Sequence, residues 1–415
     1  MVRGTTRPEG RGTGRFVVRV CVLTSSYPLH AHDMSGWFVQ EQCRRLVEKE
    51  GVEMTVLAPG YAGTPGYERH GRLDVRRVAY FFPPNLQRLT YGSGVLSNLK
   101  SRPTAWLNLV PFLVAFCVKT IRYGRRADIV HAHWGPMGVL AILTRWFHHR
   151  PVVLSVRGSD ILGAGGVVRK LTAWAVRRSD GVSANTPVSH RKACELRGER
   201  GPCHYIPNGL VLPDMEALST IRAQHAQEGV RFVSVGRLVR ERRYDLLIRA
   251  TGRIRRPGEG VTLTLVGDGP ERAALERLVG ELGLSACVHF AGRVSRGHVT
   301  RFLAEADVYV SATETDNFAN AVLEGAAHAL PVVATRVGFP AEVVVDGETG
   351  YLVGPGDEDG LCEAMRKLVE DPAGRREAGM QMRRRVEELG LTWDACAART
   401  MVLYREVLTR TGRTN

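Results

Sequence analysis

Eight cysteines are scattered through the 415 residues, and no two of them form a Cys-x-x-Cys pair. That absence argues against a zinc or dithiol redox motif, and the apolar surroundings of most of the eight suit small core residues in a reducing cytosol. Residues 1–14 lack an apolar core of the kind a signal peptide needs and are rich in Gly, Arg and Thr, so they read as a disordered basic tail. No unbroken apolar run reaches the roughly 20 residues of a bilayer span. The most apolar segment, residues 105–118, is interrupted by Asn108 and Pro111 and followed by Lys119, Arg122, Arg125 and Arg126. It is either a core helix with a solvated basic end or an apolar stripe lying on a membrane surface. A basic stripe with interleaved aromatics is also missing, which argues against nucleic acid as the partner. The net charge of +15 then points to phosphorylated substrates, an anionic membrane surface, or a coding preference for arginine. The chain is expected in the cytoplasm, with peripheral contact at the inner face of the membrane as an extension of that reading.

What is present is an alternation of strands and helices. The length implies more than one core, and the 44% hydrophobic and 24% charged fractions are those of a globular protein. Apolar runs at 17–23, 54–58, 127–131 and 152–156 read as strands, with weaker ones at 182–184 and 205–206. Helical spacing covers 37–50. After a polar stretch from Asn208-Gly209 to about 227 the pattern restarts, with strands at 232–235, 261–266, 288–290, 308–310 and 332–334 and helices at 245–254 and 271–282. Such alternation predicts two doubly wound parallel sheets. The domains are read as a tail (1–14), a first Rossmann-like domain (15–207), a linker (208–228), a second Rossmann-like domain (229–390) and a closing helix and tail (391–415) that could cross back to the first domain.

Several motifs carry chemistry. Asp316 and Glu324 stand eight positions apart, the first in a polar loop and the second about one turn into a helix, before the apolar strand at 332–334. Loop, helix and strand in that order suit a nucleotide crevice at the carboxyl edge of a parallel sheet. Gly236-Arg237 through Arg242 follows a strand, and two guanidinium groups on one loop can grip a diphosphate. Gly267-Asp268-Gly269-Pro270 is a turn that lets a ligand or a neighbouring loop approach. His131 and His133 share a strand face, and His133 could hydrogen-bond a sugar; zinc is disfavoured because no third ligand lies at useful spacing. Residues 355–359 read as a solvated acidic turn capping a helix.

Together, Gly236-Arg237-Leu238-Val239, Gly267-Asp268-Gly269-Pro270, Asp307-Val308-Tyr309-Val310-Ser311, the Asp316 to Glu324 pair, Pro331-Val332-Val333-Ala334-Thr335 and Gly347 to Val353 resemble the GT-B-fold glycosyltransferases of family 4, the retaining group 1 type. The likeness runs from about residue 17 to 408 and is looser in the first half, where Gly36, His133 and Gly158-Ser159-Asp160 carry it. It implies two Rossmann-like domains facing across a deep cleft. It also implies a nucleotide-sugar donor (UDP- or GDP-sugar) on the C-terminal side and, on the N-terminal side, an acceptor saccharide, lipid-linked saccharide or small-molecule aglycone. Arg237 and Arg242 would bind the diphosphate and Glu324 the ribose. Asp316, with the backbone at Phe318, Ala319 and Asn320, would hold the donor sugar, and Arg293 and Val294 the base. Gly36 would approach the diphosphate, and His133 would sit near the anomeric carbon. His133, Arg237, Arg242 and Asp316 are the implied catalytic set. No metal and no cofactor are expected, because the arginines neutralise the diphosphate. The chain departs from the family at Asp316 (usually Glu), Arg242 (usually Lys), Arg243 and Ala319 (usually Gly) and at Gly338-Phe339 (usually two glycines). An epimerase or phosphorylase of the same fold, or a non-catalytic nucleotide-sugar binder, are the competing readings.

Overall fold

The computed structural model describes residues 17–413 apart from 31–32, 34, 93, 159, 164–165, 225–228, 257–259 and 316–317. The basic tail at 1–14, Ser159 and Asp316 therefore lie outside the described residues.

The first sheet comprises β1 (Arg19–Leu23), β2 (Glu53–Pro59), β3 (Tyr67–His70), β4 (Leu73–Val78), β5 (Ile129–His133), β6 (Val152–Val156), β7 (Gly181–Ala184) and β8 (Cys203–Tyr205). Their spatial order is β3-β4-β2-β1-β5-β6-β7-β8, parallel throughout except for the antiparallel β3–β4 pair. β5 and β6 are buried along their whole length, which is why they appear in the sequence as continuous apolar runs. β3 is mostly exposed, so its Tyr-Glu-Arg-His sequence shows no apolar alternation.

The second sheet comprises β9 (Val230–Val235), β10 (Val261–Val266), β11 (Val288–Gly292), β12 (Val308–Ser311), β13 (Val332–Thr335) and β14 (Gly350–Val353), in the order β11-β10-β9-β12-β13-β14. In both sheets the winding reverses beside the first strand, between β1 and β5 and between β9 and β12. A doubly wound sheet opens its ligand crevice at that switch point, outside the carboxyl ends of the strands.

Two further features differ from the sequence reading. The polar stretch at 208–228 contains a helix, Met215–Ala223, capped by Asp214 and burying only Leu218; one buried position leaves no periodic signal. The apolar segment at 105–118 is not interrupted at Pro111 but belongs to a continuous helix, Ala105–Gly124. Proline forfeits one helical hydrogen bond, and packing of one face holds the helix regardless. Phe112 and Phe116 on that face are buried, with ring centroids 4.4 Å apart.

The last helix, Trp393–Arg410, lies in the core of the first sheet. Trp393 meets Trp37 edge-on at 5.6 Å between ring centroids, and Gln42 Nε2 donates to Thr400 Oγ1 at 2.9 Å. The two segments that pass between the sheets run side by side, with Leu210 N donating to Leu391 O at 2.9 Å.

Candidate active site

At the β9–β12 switch point, the loops after the strands are fastened to one another through the backbone. Gly236 N donates to Val266 O (2.9 Å), Leu238 N to Asp268 O (3.1 Å) and Gly267 N to Gly292 O (2.9 Å). Gly267 has φ +142°, and a Cβ there would fall 1.9 Å from Gly236 O. Its absent side chain thus makes room for the neighbouring loop, one of the two roles the sequence allowed. This lacing fixes Arg237 between two anchored residues. Its side chain is exposed and, among the described residues, makes no hydrogen bond or ion pair. Arg242 closes a single 3-10 turn, Arg240–Arg242, on the same loop.

Glu324 is half-buried in the helix Asn320–Ala327. Burial pushes the Tyr309 hydroxyl above its ordinary pKa, and both Arg242 and Glu324 are close enough to bias that group. Arg242, on the loop after β9, and Glu324, on the helix after β12, thus flank the switch point, where Tyr309 O–H donates to Val235 O at 3.3 Å. Val294 is half-buried and Arg293 exposed, directly after the Gly292 carbonyl that accepts from Gly267.

The departures from the family pattern have structural accounts. Ala319 and Arg243, both at glycine positions, adopt left-handed backbone at φ +49°, so the chain keeps the turn and bears the strain of a side chain there, about 1 kcal/mol each. Arg243 gains partners in return. It pairs with both carboxylate oxygens of Asp245 at 3.1 Å and with Glu314 Oε1 at 2.8 Å. Glu314 N also donates to Glu241 O at 2.9 Å, so this cluster ties the arginine loop to the segment leading to Asp316. Phe339 stacks on Phe318 at 5.0 Å and 17°, filling the space beside the buried aromatic. Ala319 is buried and packs in the core beside Phe318 and Val322. Ala319→Gly is expected to leave the unfolding free energy within about 0.5 kcal/mol of the native value, because the relieved strain is offset by the added entropy of the unfolded chain and the lost methyl contact, as read from urea denaturation.

On the first sheet, Gly36 lies at the start of the helix Trp37–Glu50 with φ +70°, and a Cβ would come 2.2 Å from Ser26 O. The loop after β1 folds directly onto it. His133 ends β5 and is buried. Its Nδ1 lies 2.9 Å from Arg157 Nη2. A guanidinium only donates, so Nδ1 accepts and the ring proton sits on Nε2. Burial, reinforced by His131 and Arg157, holds the His133 pKa well below its ordinary value. The imidazole is therefore a neutral hydrogen-bond donor near pH 7, suited to positioning a ligand oxygen.

The sequence reading missed the residues that hold His133. Burial pulls the Arg157 guanidinium down to about 10, leaving it charged near neutrality. It also donates to Gln42 Oε1 at 3.2 Å and to Asn208 Oδ1 at 2.5 Å, and lies over the Phe38 ring at 4.6 Å. Asn208 Nδ2 in turn donates to Asn320 Oδ1 at 3.3 Å. A continuous polar chain thus runs from His133 on the first sheet to the helix after β12 on the second, and shows that the two carboxyl edges face each other. Asp160 anchors the loop after β6 by accepting from Gly135 N at 2.8 Å and Arg157 N at 2.9 Å.

His131 points into the core, with Nδ1 2.6 Å from Tyr404 OH and Nε2 2.8 Å from Ser155 Oγ. Both its nitrogens are engaged, which leaves no His131–His133 metal pair. Among the described residues, His190, Cys194 and Cys203 come together at the amino end of β8, where His190 Nε2 is 3.0 Å from Cys203 O. A concavity of about 470 Å³ lined by Arg145, Trp146, Arg150 and Arg413 lies at the amino end of β6, on the edge opposite to the switch point. Asp357 accepts from Gly360 N at 2.9 Å, so the acidic turn caps a helix.

Residues 220–388 match the family described as Glycosyl transferases group 1, and residues 35–209 match the Glycosyl transferase 4-like domain. The chain belongs to the group 1 glycosyltransferases. It is 27% identical over 289 residues to a Mycobacterium tuberculosis glycogen synthase, covering 67% of this chain and 69% of the relative. It is also 27% identical over 346 residues to the GDP-mannose-dependent alpha-(1-6)-phosphatidylinositol monomannoside mannosyltransferase of Mycolicibacterium smegmatis, covering 79% and 83%. In fold it superposes on a sucrose-phosphate synthase from Thermosynechococcus elongatus with a TM-score of 0.76 at 21% identity, covering 95% of this chain and all of the other. The two-sheet GT-B architecture is therefore established, and the protein is a glycosyltransferase.

Proposed function

We propose that this glycosyltransferase moves a sugar from a UDP- or GDP-sugar to an acceptor hydroxyl with retention of anomeric configuration. The observation that carries the reading is Arg237, an exposed cation with no partner among the described residues, clamped by backbone hydrogen bonds at the sheet's switch point. Breaking the anomeric bond places negative charge on the leaving diphosphate. Arg237 and Arg242 stabilise that charge, aided by the positive end of the helix Asn320–Ala327, which begins without a side-chain cap. His133, held as a neutral Nε2–H donor, orients the sugar rather than removing a proton, and the leaving phosphate takes the acceptor's proton on the same face. Glu324 binds the ribose hydroxyls. The GDP-mannose dependence named for one relative supports a nucleotide-sugar donor. The acceptor is a saccharide, a lipid-linked saccharide or a hydrophobic aglycone.

A thermal-shift screen against UDP- and GDP-sugars tests the donor, since ligand binding to the native state raises its melting temperature. Glu324→Ala is expected to weaken the affinity for the stabilising donor at least about tenfold, the scale of a charged hydrogen bond; an unchanged affinity would remove Glu324 from the ribose site. Product NMR showing an inverted anomer would overturn retention.

A further inference from the structure

The helix Ala105–Gly124 is amphipathic in an unusual sense. Its inner face, including Ala105, Phe112, Phe116 and Thr120, is buried against the first sheet's core. Its outer face is apolar as well. Trp106, Leu107, Val110, Leu113, Val114 and Val118 are all exposed, with Leu107 and Val110 at 68% and 67%. At 100° per residue these six fall within an arc of about 140°, as broad as the stripe a surface helix normally turns inward. No charged residue occurs between Ala105 and Val118. Trp106 Nε1 donates to Leu99 O at 3.0 Å, so its ring has no unsatisfied polar group to lose on leaving water. Near the end of the helix, Arg125 Nε donates to Phe147 O at 2.9 Å, and there Trp146 and Phe147 are exposed at 84% and 54%.

The stretch of chain that contains this helix carries charge of one sign. From Val75 to Ala127 the chain has nine Lys or Arg and no Asp or Glu. Arg88, Lys100, Arg102, Arg122, Arg125 and Arg126 are exposed. A contiguous apolar face of this kind marks an interaction surface, and its basic surround selects a negatively charged partner. A second copy of the chain would bring the same positive charge against it. We propose that the outer face of the helix Ala105–Gly124 seats the protein on the surface of an anionic lipid bilayer. The helix lies in the interface and does not cross the bilayer, because its other face is committed to the core along its whole length.

The test uses the full chain with vesicles of phosphatidylcholine, alone or mixed with phosphatidylglycerol. Co-sedimentation should be at least about tenfold stronger with the anionic vesicles, since each basic residue near such a surface contributes several-fold, and should weaken with added salt. The triple variant Leu107→Ser, Val110→Ser, Val114→Ser should lose at least about tenfold in vesicle binding, as several buried apolar groups are removed, with an unchanged near-UV circular dichroism spectrum. Brominated lipid should quench the native protein's tryptophan fluorescence, and less so that of Trp106→Phe, a variant that keeps an aromatic ring. The proposal is overturned if the native chain ignores anionic vesicles, or if the triple variant binds them equally well. It is also overturned if the native chain, without binding vesicles, forms a dimer that the triple variant abolishes.

Discussion

Replacing Arg237 by alanine is expected to lower kcat at least about a hundredfold, the scale of losing one donor to developing transition-state charge, with no change in melting temperature. The second half of the prediction comes from the structure. Arg237 is exposed and its side chain holds nothing in place among the described residues, while its backbone is set by the flanking Gly236 and Leu238 hydrogen bonds. Its neighbour Arg243 is the instructive contrast, because its guanidinium is already taken up by Asp245 and Glu314. Steady-state release of the nucleoside diphosphate, with Arg237→Lys beside it, checks the assignment. Lysine keeps the charge and loses the fork, so partial recovery is expected. If Arg237→Ala turns over at the native rate, the diphosphate is gripped elsewhere.

Trp393→Ala is expected to cost about 3–5 kcal/mol of stability, as for other buried aromatic truncations. Trp393 is among the largest fully buried side chains, and it supports more than a hydrophobic core. It packs on Trp37, the residue after Gly36. The same pair of helices is joined by Gln42 and Thr400, and Gln42 also accepts from the Arg157 that holds His133. The variant should therefore lose activity at temperatures where it is still folded, as His133 loses its support. Urea denaturation followed by fluorescence measures the first effect, and kcat against temperature the second. A loss below about 0.5 kcal/mol, the level of an ordinary surface change, would mean that the last helix is not integral to the first domain.

How much of this was legible in the sequence depends on how local each signal is. The buried strands β5, β6 and β9 and the helix Trp37–Glu50 announce themselves by apolar runs and spacing, because their burial is two-sided or strongly one-faced. The short turns that carry Arg237 and Gly267 were likewise readable from residue types within a few positions. The support of His133 was not. Arg157 reaches Gln42 and Asn208 across 115 and 51 positions, and Asn208 reaches Asn320 across 112, so no window of sequence contains the network. β3 and the helix Met215–Ala223 stayed hidden because they bury almost nothing. At Ala319 and Arg243 the sequence shows only that a side chain stands where glycine is usual; that the backbone there is left-handed, at the cost of some strain, comes from the structure.

The position of the helix Trp393–Arg410 has a consequence for biogenesis. A ribosome delivers all eight strands of the first sheet long before it delivers the helix that fills their core. The first half to emerge is the last to be completed, and until then the surfaces that await Trp393, Leu403 and Tyr404 are open to solvent and to chaperones. Translation that stops short of this helix would leave an intact second sheet beside an unfinished first one, so a folded C-terminal half alone would be a poor proof that the enzyme has matured.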